Sequence, residues 1–344
     1  MWISENNVCR PRLQYVDLLK GFAIFLMVMG HFLSWQWGGS LNSSMPTGVL
    51  YINRLVNFIY SFHMPLFFFL SGYVFNMSMK CWKMSDLLNA MYRRFIQLMI
   101  PGIVTMAICF YVRDRIYFEW FIRTLFEIYI INAIIYYVSQ RYKHHWAFEL
   151  ILQFTAYVLC RCIAHLMDGT VLNEFFQLHT VANKMPFFYL GTLCFRTRFV
   201  FFVQKHSWIA GLSLIYWVSS FILKQNGIEF HDKGYTTSLS AIVACLHISS
   251  YSDAIYNNKY VLLLCELGKY TLPIYLLSPY FIPRGCIIGH WIEFFSSDSY
   301  ETAMFFQLLI GTFVTSLTCL MVYLIALVFE SNSVTKLLFL GKTK

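Results

Sequence analysis

Long apolar runs separated by short polar and basic stretches repeat along the whole chain. Ten runs stand out, near 17–36, 55–78, 95–112, 117–139, 147–166, 182–195, 207–224, 236–250, 261–283 and 303–329. Most are roughly 17–25 residues long, enough for a helix to cross about 30 Å of hydrocarbon. The sixth and eighth are shorter, as helices that line a cavity often are. No polar domain interrupts the series. The first run carries Lys20 and His31, so it reads as a permanent span and not as a cleaved signal. The pattern predicts an all-α, polytopic integral membrane protein of about ten transmembrane helices, forming a single membrane domain over 1–344.

Composition agrees with this pattern. Hydrophobic residues make up 58% of the chain and charged ones 12%, well outside the range of soluble domains. A formal net charge of +9 would suggest a nucleic-acid partner in a soluble protein. Here the basic residues orient the helices instead. With the N-terminus in the cytoplasm, most Lys and Arg fall on the inner side, leaving Arg54, Arg113, Arg115, Lys224, Lys233 and Arg284 outside. Asp114 softens the local exception at Arg113 and Arg115. The predicted orientation is N-in/C-in, with membrane lipid and no nucleic acid as partner. The closest cysteines, Cys160 and Cys162, lie inside an apolar run, so no metal site is expected.

Candidate chemistry begins in the first run. Lys20 and His31 are eleven residues apart, which returns them to nearly one face of a helix, roughly 16 Å apart along its axis. An ionisable group inside hydrocarbon is costly and marks a candidate site, although a neighbouring helix could simply satisfy it. Asp17, one turn before Lys20, is placed to pair with it. His63 enters the second run at a depth similar to that of His31, so in adjacent antiparallel helices the two imidazoles could meet. Pro65 frees a backbone carbonyl nearby, and the alternative role for His63 is merely to cap it. Arg123 and Glu127 are spaced to neutralise one another. His144 and His145 lie in a basic loop and read as solvated, and Lys184 is assigned no role.

DLLKGFAIFLMVMGH at 17–31, followed by FHMPLFFFLSGY at 62–73, resembles the acyltransferase-3 family of membrane acyltransferases, in its fucose 4-O-acetylase-like branch. YRRFIQLMIPG at 92–102, EWFIRTLF at 119–126, MPFFYLGTLCFR at 185–196 and LGKYTLPIYLLSPY at 267–280 extend the likeness over nearly the whole chain. In this family an Arg precedes a His by eleven positions in the first helix. Here Lys20 stands at the Arg position, keeping the charge and losing the planar fork. Ser278 stands where many relatives have His, so no chemistry is assigned there.

The resemblance implies transfer of an acyl group, usually acetyl, from cytoplasmic acyl-CoA to a sugar hydroxyl across a bacterial inner membrane. It implies no metal and no prosthetic group. A hydroxyl attacking a thioester needs a base, and His31 with His63 are the catalytic candidates. Lys20, Arg93 and Arg94 are the candidates for holding acetyl-CoA or another short acyl-CoA, since its phosphates need fixed cations. Glu119 and Trp120 are weaker candidates for a carbohydrate or lipid-linked glycan acceptor, because Trp120 also suits an interfacial aromatic belt. The rival readings are a glycan transporter or flippase, against which the lack of visible repeats counts, and a scaffold held together by intramembrane charges.

Overall fold

The computed structural model describes residues 13–35, 55–77, 82–113, 119–142, 145–225, 234–249, 258–283 and 300–342. Loop segments 37–54 and 284–299 and the orienting residues Arg10, Arg12, Arg54, Arg115, Lys233 and Arg284 lie outside this set, as does His144.

The described residues are mostly helical, without strands. In chain order the helices are α1 (Gln14–Trp35), α2 (His63–Met77), α3 (Met84–Arg113), α4 (Trp120–Ser139), α5 (His145–Leu166), α6 (Val171–Phe176) and α7 (Leu178–Arg196). They continue with α8 (Phe199–Lys205), α9 (Ser207–Gln225), α10 (Tyr235–Ile248), α11 (Lys259–Lys269), α12 (Thr271–Phe281), α13 (Tyr300–Glu330) and α14 (Ser333–Leu340). A short helical run over 55–60 leads into α2 across a turn at Ser61 and Phe62, and the whole of Leu55–Met77 is long and apolar enough to cross a membrane. Among the described residues six helices meet that standard, and up to eight if each of two bent pairs counts as one span. With hydropathy this high, the chain is an integral membrane protein.

Several boundaries differ from the sequence pattern for physical reasons. The run at 261–283 is two helices, bent by 92° at Tyr270. Pro273 lacks the N–H that would continue the ladder and crowds the preceding turn, so a new helix starts there. α7 ends at Arg196, and α8 leaves at 76° after Arg198, whose φ of 53° is left-handed. α3 starts well before residue 95, because the polar stretch from Met84 is already helical. α9 and α10 pack on one another as a pair shorter than the six full spans.

α1 and α2 occupy the middle and are buried on most sides, whereas α5, α9 and α13 turn many large apolar side chains outward, as lipid-facing helices do. Two crossings bring backbones into contact. A Cβ on Gly72 of α2 would lie 1.8 Å from the Phe188 carbonyl oxygen of α7, and one on Gly191 would lie 2.0 Å from that of Phe69. α1 meets α11 in the same way: a Cβ on Gly21 would lie 1.8 Å from the Leu264 carbonyl oxygen, and one on Gly268 1.9 Å from that of Asp17. The glycines of four separate sequence motifs therefore pair off two by two.

Candidate active site

α1 and α2 run antiparallel. Tyr15 and Tyr73 share a hydrogen bond of 2.6 Å at one end, and His31 packs on Tyr60 toward the other. These are the Gln14 end and the Trp35 end of the bundle.

At the Trp35 end the two candidate histidines come together around Tyr60. The His31 ring lies 6.5 Å from the Tyr60 ring, edge to face, and the His63 ring lies 5.1 Å from it. Trp35 stacks on His31 at 5.0 Å, and the Ser34 side chain lies beside the Tyr60 hydroxyl. His31 makes no hydrogen bond among the described residues, and its Nδ1 is fully buried.

His63 is held differently. Its Nδ1 is 2.8 Å from the Ile59 carbonyl oxygen, which can only accept, so Nδ1 carries the proton and Nε2 keeps its lone pair. The carbonyl that Pro65 leaves without an N–H is that of Ser61, four residues earlier. Ser238 of α10 donates to it at 2.6 Å. His63 is therefore not the cap for the group that Pro65 frees. Lys184 of α7, half-buried, stands within electrostatic reach of His63, as does His31.

Glu119 and Trp120 sit at the start of α4. Glu119 does not cap its own helix; its carboxylate accepts from the Tyr275 hydroxyl of α12 at 2.9 Å. Tyr275 packs on Phe121, which in turn meets Phe67 and Phe68, the next turn of α2 beyond His63. Trp120 is half-buried and contacts Phe121 edge to face. Among the described residues it makes no ring contact with the histidines.

The cation candidates separate at the Gln14 end. Arg93 is exposed. Arg94 turns inward, its guanidinium 4.4 Å from the Tyr129 ring centre. Lys20 is half-buried and already engaged by neighbouring groups, as is Asp17. Glu127 lies in the field of Arg123, yet its Oε2 is buried without a hydrogen bond. The pair is thus looser than its spacing suggests, and Arg123 sits over the Phe175 ring at 5.8 Å.

Three features were not anticipated. Arg196 grips Glu149 with two bonds of 2.7 and 3.0 Å and donates to Asn76 at 3.0 Å, joining α7, α5 and α2. Tyr60 and Lys184 join the histidines. Lys184 carried the same signal as His31, an ionisable group in an apolar run, whereas Tyr60 is one of 23 tyrosines and carried none. Ser278 is fully buried, its hydroxyl unpartnered among the described residues.

The arrangement offers one imidazole with a fixed tautomer, a second without partners and a nearby ammonium, all within a membrane bundle. Such a set can take a proton from a hydroxyl and stabilise negative charge. Among the described residues no three metal-ligating side chains converge. No curated protein and no solved structure matches the chain. The acyltransferase-3 family, described as an acyltransferase domain, matches residues 13–327, which lends no support to a transporter. The match covers nearly the whole bundle, and the chain belongs to that family of membrane acyltransferase enzymes.

Proposed function

We propose that this enzyme moves an acetyl group from cytoplasmic acyl-CoA to a hydroxyl of a cell-envelope sugar or lipid-linked glycan, in the manner of the fucose 4-O-acetylase-like branch. The observation that carries this reading is the meeting of His31 and His63 on one Tyr60 ring, with His63 Nε2 left as a lone pair. In this reading the chain crosses a bacterial inner membrane ten times with both termini in the cytoplasm. The Gln14 end then faces the donor and the Trp35 end the acceptor.

The donor's phosphates meet Arg94 and Lys20, and its pantetheine arm covers the roughly 16 Å from Lys20 to His31. His31 takes the hydroxyl proton as the oxygen attacks the thioester carbonyl. The carbon–sulfur bond breaks, the acyl group stays on the sugar oxygen, and the proton leaves with the CoA thiol. His63, fixed by the Ile59 carbonyl, is the second proton acceptor at that position. Glu119 and Trp120 border the acceptor's approach.

The test supplies acetyl-labelled acetyl-CoA to membranes containing the protein and follows label into glycan and glycolipid fractions. Label should appear with the native chain and vanish with His31→Ala at normal membrane abundance. Undiminished transfer by that variant overturns the assignment of His31.

A further inference from the structure

Several half-buried cations elsewhere in the bundle have partners. Arg196 has Glu149 and Asn76, Arg94 has Tyr129, and Lys342 has Glu330. Lys184 has neither a carboxylate nor a hydrogen bond among the described residues. It lies within a helix whose other residues are mostly apolar, where an unpaired charge is costly.

Its position follows from the α2–α7 crossing. The hydrogen bond between Asn76 and Arg196 makes the two helices parallel, with both side chains toward the Gln14 end. Phe69 meets Gly191 at the crossing. Counting from there toward the Trp35 end, His63 lies roughly 9 Å along α2 and Lys184 roughly 10 Å along α7. The ammonium therefore belongs to the level of the two imidazoles. Neither histidine has an acidic partner there, and the Glu119 carboxylate is bonded to Tyr275. Among the described residues, the level of the two imidazoles thus holds an ammonium with no carboxylate bonded to it.

We propose that Lys184 recognises an anionic group, carboxylate or phosphate, carried by the acyl acceptor close to the hydroxyl that is modified. The enzyme then selects acidic glycans, and Lys184 is the residue that selects them. This rests on the acyl-transfer reading above. An ammonium that only steadies the oxyanion of the attack would act equally on neutral and acidic acceptors.

Membranes carrying the native chain are given acetyl-labelled acetyl-CoA, and the His31-dependent labelled glycan is separated by anion exchange. The label should be retained on the column. Retention that disappears after phosphatase treatment assigns a phosphate, and retention that survives it assigns a carboxylate. Added back in increasing amounts, the deacylated retained fraction should show a KM about 10-fold higher or more with Lys184→Gln, little change in kcat, and near-native behaviour with Lys184→Arg. His31-dependent label in the neutral fraction overturns the proposal and leaves acyl transfer intact. So does a fall in kcat at constant KM. Absence of any His31-dependent label overturns acyl transfer itself.

Discussion

The two ends of one bundle hold similar polar groups in opposite states. At the Gln14 end, Arg196, Glu149 and Asn76 satisfy one another. Among the described residues at the Trp35 end, His31 Nδ1 is buried without a partner, His63 makes one hydrogen bond, to a backbone carbonyl, and Lys184 has no ion pair. A closed set of charges holds helices together and has little left to offer a ligand. An open set destabilises the empty protein and is paired when something binds. The contrast separates a structural latch from a reaction site more sharply than residue type does, since both ends contain cations inside the membrane.

The contrast can be broken from either side. The largest effect expected is on chemistry: His31→Ala should cut transfer by about 10²- to 10⁴-fold, the usual share of a general base, with thermal stability in detergent near native. A variant that instead fails to accumulate would make His31 part of the latch class. At the other end, Arg196→Ala leaves the Glu149 carboxylate buried alone and should cost about 3–5 kcal/mol. Arg196→Met combined with Glu149→Leu should recover much of that loss, read by unfolding temperature. No difference between the single and double variants would mean that the ion pair holds nothing.

A smaller loss, about 1–3 kcal/mol, is expected for Gly191→Ala, because the added carbon meets the Phe69 carbonyl and the helices must part. Smallest is the comparison within the arginine pair. Arg94→Ala should raise the KM for acyl-CoA several-fold, and exposed Arg93→Ala should stay within about 0.5 kcal/mol of native binding. Equal effects from the two would remove the distinction between inward and outward cations.

Much of this was readable in the chain because it depends on counting along single helices. The all-helical membrane class follows from run length and composition. The proximity of His31 and His63 follows from equal depth in antiparallel neighbours. What could not be read depends on partners distant in sequence. Arg196 finds Glu149 47 positions away and Asn76 120 positions away, and nothing local selects either. Gly72 and Gly191 are each visible as glycines, but their pairing is a property of the crossing. The break at Tyr270 was hidden because mean apolarity continues through it, while the backbone responds to the missing N–H of Pro273. The separate fates of Arg93 and Arg94 are set by a rotation of 100° on one helix face, which becomes legible only once the neighbours of α3 are known.

The glycine crossings divide the centre of the molecule into two stiff pieces. α1 is seated on α11 and α2 on α7 with backbone against backbone, and neither contact can widen without losing its closest packing. His31 rides on the first piece, and His63 and Lys184 ride on the second. The surface between the pieces, where Tyr60 lies between the two imidazoles, is built from side chains. Side chains can change rotamer where backbones cannot yield, so the path of least resistance through this bundle runs between the two pieces, past the reacting groups.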